Sequence, residues 1–102
     1  MGPEHMSAAE FREHGHSLID WLADYYENVE TYPVLSDVEP GSIRAQLPDS
    51  APEVGEPFEN LIADLDTIVM PGITHWQNPS WFAYFPANSS PPSVLAELVS
   101  AG

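Results

Sequence analysis

Residues 70–90 of this 102-residue chain have the sequence MPGITHWQNPSWFAYFPANSS. Five aromatic side chains lie between Trp76 and Phe85, and Pro71, Pro79 and Pro86 stand before, among and after them. Each proline removes a backbone hydrogen-bond donor and restricts the residue before it, so the stretch cannot be one regular helix. Because rigid aromatic surfaces bind flat apolar groups, we expect an irregular aromatic wall (residues 70–90) that leads into a helix.

The composition restricts the classes of partner. The chain has 16 acidic and two basic residues, with a formal net charge of −14. Nucleic acid and anionic membrane surfaces are therefore poor partners, since both are bound through Lys and Arg. The chain has no cysteine, which excludes disulfides and thiolate catalysis and is typical of a cytoplasmic protein. No stretch predicts a membrane span, and residues 1–5 are expected to be a cloning remnant before a native start at Met6.

Outside the aromatic wall, three amphipathic helices are predicted. The first begins after Ser7, which forms a capping-box pattern with Glu10, and ends before Pro33. The second is expected from about Phe58 to Met70 and the third after Ser90. Proline punctuates the connector 33–57, where no helix is evident and which is expected to cross some other surface. The fold class is therefore mainly α: three helices with apolar stripes, joined by long proline-rich connectors that do not fold them together.

Few side chains predict a reactive centre. His14 and His16 point to different sides of a helix and lack further ligands, so we expect solvated histidines and no metal site. His75 is a lone loop histidine, more typical of a structural bond to a backbone carbonyl than of a site. No nucleophile–base arrangement, phosphate loop or carboxylate pair is identifiable. On residue chemistry alone, the wall aromatics fit core packing better than a pocket, with both interpretations open.

An ordered set of residues carries a resemblance to a known family. The set comprises residues 68–76, Pro79, 82–86 and 89–90, with residues 37–41, Arg44 and 57–59 upstream. It resembles the N-terminal region of the group II pyridoxal-phosphate-dependent decarboxylases, closest to aromatic-L-amino-acid decarboxylases of bacterial type. The resemblance extends over nearly the whole chain from Met6 to Gly102.

The resemblance implies fold type I of the pyridoxal-phosphate enzymes, an α/β fold in the complete protein, and an obligate homodimer. Residues 6–85 would be an N-terminal helical segment that exchanges with the partner subunit, and 86–102 the truncated start of the large cofactor-binding domain. Pyridoxal 5'-phosphate would be bound by residues downstream of this chain. No catalytic, cofactor-binding or metal-binding residue is therefore expected here.

The resemblance also implies which residues contact the substrate. Trp76, Tyr84, Phe85, Pro86 and Ala87 would clamp its aromatic ring, whereas Trp81 and Phe82 would be packing residues. His75 and Asn88 are secondary candidates. Animal members of the family have threonine at the position of Ala87, so any hydrogen bond from that hydroxyl is absent here or is replaced by Asn88.

The implied activity is conversion of an aromatic L-amino acid to its arylalkylamine and CO2. Some relatives of this kind carry out oxidative deamination, and the sequence leaves the choice of reaction and of amino acid open. An alternative is a non-catalytic fragment or assembly segment with no activity alone, since the chain has no lysine for a Schiff base. A further alternative is an autonomous acidic helical binding module.

Overall fold

The computed structural model describes residues 5–82 and 89–102. In chain order its elements are α1 (Ala8–Asn28), a 3-10 turn (Val29–Thr31), α2 (Ser42–Ala45), α3 (Phe58–Asp64), a π-helical turn (Leu65–Val69), α4 (Met70–Gly72) and α5 (Pro91–Ala101). Over the described ranges there is no β-strand, so the mainly α prediction is confirmed for this part of the fold.

Helix α1 begins as its capping box predicts. The Ser7 hydroxyl oxygen accepts the backbone N–H of Glu10 at 3.1 Å and lies 3.0 Å from its carboxylate. These bonds satisfy polar groups that a helix N-terminus otherwise leaves open. At the other end the chain tightens into the 3-10 turn and becomes extended at Tyr32, because Pro33 disfavours a helical residue before it.

The second predicted helix is a composite of α3, the π-helical turn and α4, and it runs two residues beyond the expected end at Met70. The Met70 N–H bonds to the carbonyl of Leu65, the wide spacing of a π turn. Pro71 has no N–H to contribute and lies in the last turn rather than after it. The widened turn lets the chain pass through Pro71, which explains why the proline does not stop the helix where expected.

The connector 33–57 departs from the prediction in two ways. It contains the short helix α2, which follows Gly41 in a left-handed conformation at φ 88° that favours glycine. It also folds back onto the composite helix, since the Ser36 hydroxyl donates to the carbonyl of Pro71 at 2.7 Å. The first residues of the connector therefore lie against the composite helix, while the surface that its later residues cross stays a prediction.

Two contacts pack α1 against the composite helix. The His14 ring stacks on Phe58 with ring centroids 4.6 Å apart, so His14 is not the simply solvated histidine that was expected. The Trp21 indole N–H donates to the Asp66 carboxylate at 2.9 Å. Tertiary contact thus gives partners to polar residues that the helical pattern alone places towards solvent.

The described residues form an open arrangement with little buried apolar surface. Among them only Met70, His75 and Asn78 are buried, while Phe11 is 62% and Val99 is 79% exposed. The radius of gyration is 16.3 Å, against about 13 Å for a compact domain of this length. No described helix combines the length and the apolar character needed to cross a membrane. Helix α1, the composite helix and α5 thus retain exposed apolar side chains within the described part of the chain.

Candidate functional site

Within the aromatic wall, the side chain of His75 is only 2% exposed. Its Nδ1 lies 2.8 Å from the Tyr25 hydroxyl of α1, within hydrogen-bonding distance. Its ring stacks on Tyr32 at 5.0 Å between centroids and is tilted against Tyr25 at 5.6 Å. The expected backbone-carbonyl partner is replaced by a tyrosine hydroxyl, which joins the wall to a helix 50 residues earlier.

The backbone of His75 is fixed as well as its ring. Its N–H donates to the carbonyl of Val34 and its own carbonyl accepts the N–H of Asn78, both at 3.0 Å. The peptide units before and after His75 are thus each held by one bond, which restricts rotation of the His75 backbone and so the direction in which Trp76 follows.

Asn78 holds the turn after His75 against the end of α1. Its side-chain amide donates to the carbonyls of Val29 at 3.1 Å and Tyr32 at 3.2 Å. Its side-chain oxygen accepts the N–H of Ser80 at 2.8 Å. No role was predicted for Asn78, although an Asn-Pro pair is a recognised turn pattern. The amide uses its donors and its acceptor together, which explains why a polar residue is buried here.

In the described part of the wall, the exposed Trp76 ring lies against Trp81, which is half-buried. Their rings stack with centroids 5.5 Å apart and planes 19° from parallel. Trp76 remains 46% exposed and Phe82 91% exposed. Phe82 makes little contact within the described chain, and the assignment of Trp81 and Phe82 to packing in the complete enzyme stays a prediction. The stack offers a flat apolar surface of the kind that accepts another ring.

The remaining predicted substrate residues lie outside the described part of the chain. They are Tyr84, Phe85, Pro86, Ala87 and Asn88. The structure therefore brings together two members of the predicted site, His75 and Trp76, and it adds Tyr25, Tyr32 and Asn78. The bond from Tyr25 to His75 could not be predicted from the sequence, since helical periodicity does not show where a tyrosine hydroxyl ends.

Burial sets the protonation of the anchoring pair. It lowers the pKa of the His75 imidazole from its ordinary value, because a charged ring would lose hydration. Burial also raises the pKa of the Tyr25 hydroxyl, with a smaller contribution from Tyr32 and Tyr26. Both shifts favour the neutral forms, so the contact is a hydrogen bond between neutral groups whose proton position depends on the histidine tautomer.

A shallow recess of about 200 Å³ lies beside the anchor. Tyr32, Met70 and His75 contribute to its lining, together with the carboxylates of Asp37 and Asp66. Trp76 does not line it. The stacked tryptophans therefore present a surface separate from this recess, and an enclosed pocket at the wall requires groups beyond those described. No set of three or more potential metal ligands comes together among the described residues.

Comparison with known proteins identifies the family of this chain. Residues 40–102 match the pyridoxal-dependent decarboxylase conserved domain, which is more than half of the chain. The chain belongs to this family. The match includes the aromatic wall, the composite helix and α5.

Members of the family from plants align with almost all of the chain. Phenylacetaldehyde synthase of Petunia hybrida is 53% identical over 93 residues, which are 91% of this chain and 18% of that protein. Tyrosine decarboxylase 2 of Narcissus pseudonarcissus is 48% identical over 97 residues, 95% of this chain and 19% of that protein. The chain thus spans about a fifth of the length of these curated relatives. The bacterial subtype stays a prediction.

A solved structure of the family has the same local fold. Tryptophan decarboxylase of Catharanthus roseus, in complex with L-tryptophan, superposes with a TM-score of 0.88 at 43% identity. The superposition covers 97% of this chain and 21% of that one. In such a decarboxylase the fold described here is one part of a larger structure, which explains why its helices leave apolar faces open.

Proposed function

We propose that this chain is the N-terminal part of a pyridoxal-phosphate-dependent decarboxylase that converts an aromatic L-amino acid to its arylalkylamine and CO2. The observation that carries the proposal is the Trp76–Trp81 stack with its exposed Trp76 ring, anchored by buried polar residues within a family of pyridoxal-dependent decarboxylases. A flat, rigid indole surface is suited to stacking against an aromatic side chain.

The side chains of this chain do not fit the cofactor as its anchor. Pyridoxal phosphate needs an amine for its aldehyde and cationic or N–H donors for its phosphate, and the chain has no lysine. Its two arginines, Arg12 and Arg44, are both exposed and lie outside the aromatic wall. We therefore assign the cofactor to residues of the complete enzyme downstream of this chain. That cofactor supplies the electron sink, and the protein supplies binding and orientation.

Within the enzyme, this chain would orient the substrate and exclude water. Trp76, Tyr84, Phe85, Pro86 and Ala87 would contact the substrate ring, and Asn88 would offer a polar group where relatives in animals have a hydroxyl. Such contacts add binding energy without moving a proton. His75 is buried behind Trp76 rather than exposed beside it, so we assign it to the support of the wall.

The assembly we propose is a homodimer in which residues 6–85 pack on the partner subunit and residues 86–102 begin the large domain. Its support is the apolar surface left open on α1 and α5, including Phe11 and Val99. Burial of such faces at a subunit interface is the usual way to remove them from water. The absence of cysteine supports a cytoplasmic location.

The test is turnover by the complete protein that carries this segment. Tryptophan, tyrosine, phenylalanine and dopa are supplied in turn, and CO2 and the amine are quantified. Release of both from at least one substrate is expected. Absence of cofactor absorbance and of CO2 from all four would refute the proposal.

The substitution Trp76→Ala tests the wall directly. Loss of a ring contact is expected to raise KM about ten-fold, with a smaller effect on kcat because the ring binds substrate and transition state alike. Val54→Ala is the matched control, since Val54 is an apolar side chain 81% exposed on the connector. Equal KM values for the two variants would remove Trp76 from the binding surface.

A second candidate reaction yields an aldehyde in place of the amine. It is favoured by the 53% identity to phenylacetaldehyde synthase. Both reactions release CO2. The aldehyde-forming reaction is an oxidation that also consumes one O2 and one water and releases ammonia and hydrogen peroxide, so ammonia, peroxide and an aldehyde identify it, whereas an amine identifies simple decarboxylation. Mass spectrometry of the products distinguishes them in the same assay.

A further inference from the structure

We propose that Tyr25 and His75 form a positioning pair that fixes the direction of Trp76, and thereby tunes how tightly the aromatic wall binds a substrate ring. The inference rests on the proposed function for its kinetic consequence. The control of the tryptophan stack by α1 is argued from the Tyr25–His75 and Trp76–Trp81 contacts and does not depend on the proposed function.

His75 and Asn78 join the wall to residues 25–34 through long-range hydrogen bonds. The Asn78 side-chain amide donates to backbone carbonyls just after α1, at Val29 and Tyr32. The His75 ring bonds to a side chain, the Tyr25 hydroxyl at 2.8 Å. A change of one side chain on α1 can therefore alter this attachment.

The Tyr25–His75 pair controls the direction of the Trp76 ring. His75 is 2% exposed and Trp76, its neighbour, is 46% exposed. Consecutive residues with such different burial face in different directions, so the rotation that buries one side chain presents the other. The Tyr25 bond stabilises the buried orientation of His75, and by this connection it stabilises the outward orientation of the Trp76 ring and its stack on Trp81.

The position of the Tyr25 hydroxyl is restricted by neighbouring rings. Tyr25 also lies in a run of rings, with Trp21 stacked at 6.0 Å and Tyr32 stacked at 5.8 Å. These contacts restrict where its hydroxyl can go. A phenylalanine at position 25 would keep the ring contacts and lose only the bond to His75. The hydroxyl can thus be tested separately from the packing.

The experiment uses the complete enzyme with Tyr25→Phe and, as matched control, Tyr26→Phe. Tyr26 is the next residue on α1, and its hydroxyl is not the one that bonds His75. For Tyr25→Phe, loss of one hydrogen bond is expected to raise KM for the best aromatic substrate about five-fold. The kcat per cofactor-loaded site should change less, and Tyr26→Phe should leave both constants at the wild-type values.

A spectroscopic measurement follows the wall without turnover. The stacked pair Trp76–Trp81 gives a coupled circular dichroism band, identified by its loss in Trp81→Phe. Tyr25→Phe should weaken this band and Tyr26→Phe should not. A simple loss of stability would instead lower the folded, cofactor-loaded fraction while leaving KM and the band of the remaining folded enzyme unchanged.

The proposal is overturned if Tyr25→Phe matches Tyr26→Phe in both KM and the tryptophan band. His75→Gln is a second variant and should weaken the band at least as much; if it does not accumulate as folded protein, Tyr25→Phe alone decides. If the wild-type enzyme turns over no aromatic amino acid, the proposed function fails. The tryptophan band then still tests the positioning pair.

Discussion

At the scale of single residues, the buried imidazole of His75 makes the wall sensitive to acid. The pKa of His75 is lowered by burial when residues 73–81 are closed onto α1. When these residues open and expose the ring, the pKa should return to the ordinary value of about 6.5. The opened form therefore binds a proton at a higher pH than the closed form. Closure is fully stabilised above about pH 6.5 and loses stability as the pH falls towards the lowered pKa of His75. Tyr25 and Tyr32 face the ring, and Asp37 and Asp66 border the recess beside it.

We predict that the free energy of opening, measured by hydrogen exchange at the backbone N–H of Asn78, falls with acidification by at most about 1.4 kcal/mol per pH unit. This N–H is a suitable reporter because it donates to the His75 carbonyl. His75→Gln should abolish the dependence, and the matched variant of an exposed histidine, His16→Gln, should retain it. A slope that survives in His75→Gln would assign the effect to other groups.

Asn78 is the second residue whose side chain decides local stability. Asn78→Ala leaves the carbonyls of Val29 and Tyr32 and the N–H of Ser80 without this amide. We expect residues 73–81 to open more easily by roughly 2–3 kcal/mol, measured by hydrogen exchange in the complete protein. Asn60→Ala, which removes an exposed amide on α3, should cost less than about 0.5 kcal/mol. Similar values for the two would contradict the role assigned to Asn78.

At the scale of elements, the bond from Trp21 to Asp66 links α1 to the π-helical turn. We predict a coupling free energy of about 1 kcal/mol between Trp21→Phe and Asp66→Ala in a double-mutant cycle. The measurement is the hydrogen-exchange opening of α3 in each variant. Trp21→Phe combined with Asp64→Ala is the control pair and should be additive, since Asp64 lies on the same composite helix away from this bond. Equal coupling in both cycles would show that the bond is not specific.

The elements also show which helix boundaries can be predicted from the sequence. The beginnings of α1 and α5 were predictable because a cap is a local device: Ser7 bonds to Glu10, and Ser90 bonds to Ser93 within one turn. The end of the composite helix was not, since the π turn before Pro71 depends on one wide hydrogen bond that no residue pattern specifies. Helix α2 was missed because four residues are too few to give a periodic pattern.

At the scale of the whole molecule, the described residues bury little apolar surface. Helices α1 and α5 contain no buried residue, although a stable domain of this length should bury most of its apolar surface. We predict that the isolated 102-residue chain has no decarboxylase activity and that its thermal unfolding midpoint rises with protein concentration, as for an associating species. Calorimetry and sedimentation over a wide concentration range make the measurement. A sharp melt independent of concentration would favour an autonomous binding module.

Sequence by itself determined the helical class, the helix caps, the family resemblance and the place of the aromatic wall, because these depend on residue order and on bonds within a turn or two. Tertiary structure alone decided that His75 is buried against Tyr25, that Asn78 closes the turn onto α1, and that Trp76 faces outward. These contacts join residues nearly 50 positions apart. Their formation depends on how α1 and the connector fold back on the wall, which no local pattern encodes.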